Sequence, residues 1–247
     1  MEIFPAIDLG NGQCVRLAQG DFARTTIYEA DPVLQAQRFA EAGAEWLHVV
    51  DLDGARHGRS RQLDVIERMA RSVPLRLQVG GGIRDETAVE ALLDRGIERV
   101  VIGSLAVRDP AGIRGWLRRY GPIRIVAAFD VRHDDSGEPR ILIEAWQQES
   151  GSSLWDVLDA YGNDGLKTVL CTDVGRDGML AGPNLALYQA VQARRPELDL
   201  LASGGVRNVA DLEALARLGT KGAIVGKAIY EGHIDLADAI PRVKHAR

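Results

Sequence analysis

The sequence predicts an α/β fold, a (β/α)8 TIM barrel built from two duplicated half-barrels. Short apolar runs alternate eight times with amphipathic stretches. The runs are apolar at nearly every position, as in parallel strands covered on both faces. The second half of the 247-residue chain also repeats the first at a spacing of 122 to 123 residues. A barrel of about 250 residues is ordinarily one domain, so residues 1–247 read as a single barrel with half-barrels at about 1–122 and 123–247. A doubly wound open sheet is the competing arrangement. Pairing of the eighth strand with the first separates the two.

The units follow in chain order. "EIFPAID" is the first strand, and a long loop separates it from the helix "DPVLQAQRFAEAG", where Asp31 can cap, Pro32 suits the first turn and Gly43 ends it. "EWLHVVD" precedes a helix over about 62–72, "LRLQVG" precedes "DETAVEALLDRG", and "ERVVIG" precedes "DPAGIRGWLRRYG", where Asp109-Pro110 repeats the Asp-Pro start. In the second half "IRIVAAFD" leads to a helix near 153–162, and "LKTVLCTD" to one near 185–194. "LDLLASGG" leads to "NVADLEALARLG", and "KGAIVG" to a last helix from about 234.

Composition narrows the function classes. The hydrophobic fraction of 46% and charged fraction of 26% are globular, and a net charge of −5 supplies no basic field for nucleic acid or anionic lipid. Two cysteines, Cys14 and Cys171, make neither a disulfide framework nor a metal motif. The start lacks the basic and apolar regions of a signal peptide, and no apolar run approaches the ~18 residues of a membrane span. A cytoplasmic protein acting as a monomer, without nucleic acid or membrane partners, is expected.

In this fold chemistry sits at the C-terminal ends of the strands. Asp8 and Asp130 end the first and fifth strands at equivalent repeat positions, 122 residues apart. Two carboxylates facing one pocket can divide acid and base work, because burial or the neighbour's charge holds one protonated. The bland alternative is that each caps a loop turn. The glycines form a second constellation: "GGGIR" (80–84) with Gly103-Ser104, and "SGGVR" (203–207) with Gly226-Lys227. Glycine lets backbone N–H groups approach an anion, and barrels often bind phosphate after strands seven and eight. A duplicated grip suits an elongated small-molecule substrate carrying two phosphates.

Other residues carry weaker signals. Thr172 can orient a carboxylate or simply be a β-branched strand residue. Asp177 in "GRDGMLAG" suits a ligand contact or a turn. Arg16 and Trp146, in the loops after strands one and five, can cover a ligand, one with an anion-binding fork and the other with a stacking face; surface exposure and core packing are the alternatives. His48 reads as an interior histidine, and Arg84 and Arg207 as positive charge near the phosphates or loop caps. No strand-end Lys other than Lys227 supports a Schiff base. No cluster supports a metal and no GxGxxG follows the first strand, so no cofactor is expected.

"PAIDL", "HVVDLDGA", "VGGGIR", "DVGRDGMLAGPN", "ASGGV" and "GKAIYEG" together resemble, from end to end, the histidine-biosynthesis isomerases acting on phosphoribosylformimino-aminoimidazole-carboxamide ribotide. The resemblance implies a half-barrel-duplicated barrel and a cofactor-free Amadori rearrangement of a substrate with two phosphates. It implies Asp8 as general base, Asp130 as general acid and Thr172 as an assisting group. Gly82, Gly103 and Ser104 would form one phosphate grip, and Gly205, Gly226 and Lys227 the other. Arg16, His48, Arg84, Trp146 and Asp177 match positions of substrate contact. The related cyclase, which receives ammonia from a glutaminase, and an isomerase that also takes phosphoribosyl anthranilate are the near alternatives; "PAIDL" in place of a cyclase-like "PCLDV" favours the isomerase. A non-catalytic phosphosugar-binding barrel would not need the paired acids, and a glycosidase would not need the paired grips.

Overall fold

The computed structural model describes residues 1–18, 21–162 and 164–246. Its strands are β1 (Glu2–Gly10), β2 (Gln13–Ala18), β3 (Asp21–Glu29), β4 (Trp46–Asp51), β5 (Arg76–Gly80) and β6 (Arg99–Ile102), followed by β7 (Ile125–His133), β8 (Pro139–Ile143), β9 (Gln148–Ser153), β10 (Thr168–Asp173), β11 (Asp199–Ser203) and β12 (Gly222–Val225). Eight of them, β1, β4, β5, β6, β7, β10, β11 and β12, pair in parallel in that order. The last lies beside the first, Gly222 opposite Glu2 and Val225 opposite Pro5. That pairing closes the sheet and rules out the open alternative.

The helices begin where short polar side chains can take up free backbone N–H groups. Asp31 caps Pro32–Glu41, Asp85 caps Glu86–Leu93 and Asp109 caps Pro110–Tyr120. In the second half Asn184 caps Leu185–Arg194, Asn208 caps Val209–Leu218 and Asp235 caps Leu236–His245. Ser153 and Asp156 form a reciprocal capping box on Leu154–Tyr161. The buried faces of these helices cover the outside of the barrel with residues such as Ile66, Met69, Val89, Leu92, Leu212 and Leu215. Inside, Phe4, Trp46, Val101, Val126, Leu170 and Leu201 fill the lower barrel, so it is a packed core. Among the described residues, no helix is long and apolar enough to cross a membrane.

Two expectations are corrected. The long loop after the first strand is an antiparallel extension, with β1 running into β2 and β2 into β3. The connection after the fifth is likewise built from β7, β8 and β9. Both hairpins stand on the C-terminal rim. Short helices also follow three strands, at Leu52–His57, Ser104–Arg108 and Lys227–Tyr230.

Positions that correspond in the sequence repeat make similar contacts. Asp51 accepts from Gly54 N (2.7 Å), Arg61 N (2.6 Å) and Ser60 Oγ (2.8 Å), and its repeat equivalent Asp173 accepts from Gly175 N (3.0 Å) and Asn184 Nδ2 (2.7 Å). Gly81 lies against the Asp51 carbonyl and Gly204 against that of Asp173; an added Cβ would come to 2.2 and 2.6 Å of those oxygens. Both have positive φ, +103° and +98°. These glycines permit close approach as well as an unusual backbone. Gly96 has φ +82° with open space around it. Gly96→Ala is therefore expected to cost only the left-handed penalty, about 1–2 kcal/mol. Gly81→Ala should cost clearly more in urea unfolding, and equal losses would contradict the close contact.

Candidate active site

The C-terminal ends of the barrel strands surround a cavity of about 430 Å3, within the range of small-molecule sites. Asp8, Asp130, Thr172, Arg16, His48, Gly82, Arg84, Gly103, Ser104, Trp146, Asp177 and Gly226 all line it. Strand register explains several of these positions. Asp130 on β7 lies directly beside Thr172 on β10, and Ala6, two residues before Asp8, lies beside His48 on β4. Side chains two apart on a strand share a face, so Ala6 and Asp8 point into the same interior.

Neither Asp8 nor Asp130 caps a helix. Burial pushes Asp8 above the ordinary carboxylate range; the Arg16 cation draws it back, and the Asp177 charge adds to the rise. Arg16 reaches Asp8 at 3.4 Å and grips Asp177 with one nitrogen 2.9 and 3.0 Å from its two oxygens. Burial works against this guanidinium, but the two carboxylates outweigh it and hold the cation charged. Far from being surface, Arg16 ties the first-strand hairpin to the loop after β10 across the mouth.

Burial also raises Asp130, opposed by hydrogen bonds from Trp146 and Thr172. The indole Nε1 donates to Asp130 Oδ2 at 2.8 Å, which places Trp146 in the cavity wall and not in the core. It gets there through an unusual backbone: Glu144, Ala145 and Trp146 have φ of 55°, 53° and 69°. Three consecutive left-handed non-glycine residues cost about 1–2 kcal/mol each. The Glu144 N–H donates to Ser104 Oγ at 2.9 Å and its carboxylate pairs with Arg108, which holds the turn down.

The glycine rims differ. Gly82 and Gly103 line the cavity with Ser104, and Gly103 begins Ser104–Arg108 with no side-chain cap. Gly226 begins Lys227–Tyr230, also uncapped, with Arg16 lying over it. Gly205 and Lys227 do not line this cavity. Gly205 is packed on the Gly182 carbonyl, and Lys227 donates to the Gly178 carbonyl at 2.9 Å. Arg84 packs over Gly58, while Arg207 pairs with Asp211. Ser203, at the end of β11, also lines the cavity; it opens the "SGGVR" stretch, but only its glycines carry a phosphate signal in the sequence. Among the described residues no group of three His, Cys, Asp or Glu is disposed to hold a metal ion.

A closed parallel barrel with carboxyls at its strand ends facing a rim cavity belongs to the (β/α)8-barrel enzymes, whose chemistry sits at the C-terminal rim. Residues 2–235 match the family described as histidine biosynthesis protein, and the chain belongs to that family. A Francisella philomiragia relative is 48% identical over 240 residues, 97% of this chain and 99% of its own length. Relatives from Photobacterium profundum (46% identical; 96% of this chain, 97% of its own) and Psychromonas ingrahamii (44%; 96% and 97%) are similar. All three are named 1-(5-phosphoribosyl)-5-((5-phosphoribosylamino)methylideneamino) imidazole-4-carboxamide isomerase.

The raised Asp130 has a consequence for stability. Its folded-state value lies above its unfolded one, so the native state binds more protons between the two and stability falls as pH rises through that interval. Asp130→Asn is expected to raise the unfolding midpoint at pH 7, with the advantage shrinking as pH falls toward about 4, the unfolded value. Thermal unfolding across pH reads this; an advantage independent of pH would contradict the buried, raised carboxyl.

Proposed function

We propose that this chain catalyses the intramolecular aldose–ketose rearrangement of phosphoribosylformimino-aminoimidazole-carboxamide ribotide in histidine biosynthesis. Asp8 is the general base and Asp130 the general acid. Near full-length identity to relatives bearing the isomerase name supports the reaction. The observation that carries the mechanism is one cavity holding the partly buried carboxyls of Asp8 and Asp130 between two glycine rims.

The chemistry then runs in four proton movements. The acid protonates the ring oxygen of the aminoaldose ribose; the C1–O bond breaks, its electrons stay on that oxygen, and the nitrogen lone pair forms a protonated imine. Asp8 removes the C2 proton, and the released electrons make the C1–C2 double bond of an enolamine while neutralising the imine nitrogen. Return of that proton to C1, with loss of the C2 enol O–H proton to the carboxylate that donated in the first step, gives the ketone and restores both groups. A raised, buried carboxyl is suited to hold the first proton, and Thr172 orients it. No redox or carrier group is needed by this sequence of steps. Phosphates held at Gly82, Gly103 and Ser104 and at Gly205, Gly226 and Lys227 would fix the sugar in reacting geometry, with Arg16, His48, Arg84 and Trp146 around it. For the latter three glycine-rim residues to share one grip, the loop after β10 must move with the ligand.

A second reading of the acid comes from one observation: Asp177 lines the same cavity and is linked to Asp8 through the single Arg16 guanidinium. If substrate draws Arg16 away, Asp177 loses its counter-ion and becomes the acid, with Asp130 holding the substrate. The chain is proposed to work as a single-domain monomer in the cytoplasm.

Steady-state assays of the ribotide test this. Positioned proton transfer is worth roughly 10²–10⁴-fold, so Asp8→Asn should lose at least that much turnover while retaining ligand binding. The deeper loss between Asp130→Asn and Asp177→Asn identifies the acid. Near-normal turnover of Asp8→Asn would remove it as the base.

A further inference from the structure

His48 and Gln78 are two polar residues in strands that are otherwise largely apolar, "WLHVVD" and "RLQVG". They lie in direct register on β4 and β5. Gln78 is fully buried and its side-chain Nε2 is 2.9 Å from His48 Nδ1. Its Oε1 is also buried and has no hydrogen-bond partner. An amide with an unpaired oxygen in a barrel core is costly compared with an apolar residue of the same size. The bond to His48 is the return on that arrangement.

We propose that Gln78 is a positioning residue that sets the tautomer of His48. An amide nitrogen has only hydrogens to offer, so Nδ1 must accept and carry no proton. The one proton of the neutral ring then sits on Nε2, the free ring nitrogen of a residue that lines the cavity. Burial, followed by the nearby Arg16 cation, holds the ring down at about 4, so at neutral pH it is uncharged and its tautomer is the variable that matters. His48 is thereby a fixed hydrogen-bond donor and not a base. On the proposed function it donates to a substrate oxygen while Asp8 alone takes the carbon proton. The parallel β4–β5 register is what makes this work, because it puts the amide level with the ring and not above it.

The test is the 15N spectrum of the histidines in the intact protein, with His48 assigned by its loss in His48→Asn. The wild type should show a pyridine-type Nδ1 and a pyrrole-type Nε2, unchanged from pH 6 to 8. This measurement needs no variant at Gln78 to fold. A pyrrole-type Nδ1, meaning that Gln78 accepts through its oxygen, would overturn the proposal. In Gln78→Leu the ring should become a mixture of tautomers, with kcat about tenfold lower, the worth of one hydrogen bond. In Gln78→Glu a carboxylate should draw the proton to Nδ1, reverse the signature and lower kcat further. An unchanged His48 signature in both variants would overturn it as well. Should the wild-type signature appear in a protein that fails to turn over the ribotide, the tautomer assignment stands and the proposed function alone falls.

Discussion

Closure of the barrel by β12 against β1 is the constraint from which the rest of the molecule follows. Eight parallel strands joined edge to edge must send all their C-terminal ends to one rim. Asp8 and Asp130, far apart in sequence, are therefore delivered to one cavity floor. The same closure shuts the floor beneath them, because the lower barrel is plugged by Phe4, Trp46 and their neighbours. Desolvation is the leading cause of the rise at both carboxyls. A carboxyl held above its ordinary range is a weaker acid in solution terms and a better proton carrier near neutrality.

Above that floor, the rim is assembled from parts that oppose one another electrostatically. Arg16 lowers Asp8 and anchors Asp177, while Trp146 and Thr172 stabilise the charged form of Asp130. Each strand-end acid thus has a partner contributed by a neighbouring rim segment. Rim geometry and carboxyl chemistry are coupled: moving the β1–β3 hairpin changes Asp8, and moving the left-handed turn at Glu144–Trp146 changes Asp130. The three strained residues of that turn indicate a conformation sustained by its contacts with Ser104, Arg108 and Asp130.

Much of this was legible in the sequence, and the legible parts share a physical origin. Asp or Asn before a helix, and uniformly apolar strands, are local signals that need no knowledge of tertiary contacts; hence the eight units and the strand-end acids. The two hairpins were hidden because "QCVRLA" and "QESGSS" show neither a continuous apolar run nor strict alternation, and on the rim solvent replaces the core that usually marks a strand. Arg16 with Asp177 spans 161 residues, and nothing local announces it. Trp146 reads as a ligand cover or as core, and the left-handed backbone that puts it on Asp130 cannot be guessed from a non-glycine triplet. Gly205 and Lys227 show the limit of repeat arithmetic: Gly205 matches Gly82 and Lys227 stands where the first half has Ser104, yet residues of the loop after β10, Gly182 and Gly178, pack on both. His48 with Gln78 was half visible, since each is an isolated polar residue on an inward strand position, and only the register joins them.

The central claim is that one cavity holds a doubly phosphorylated ligand with its reacting sugar beside Asp8. A crystal structure with the aminoketose product bound tests that most directly. The account predicts one phosphate on the backbone of Gly82, Gly103 and Ser104, the other on that of Gly205 and Gly226, and C2 of the opened ribose within hydrogen-bonding reach of the Asp8 carboxyl. A product bound by one phosphate only, or with that carbon turned away from Asp8, would contradict it.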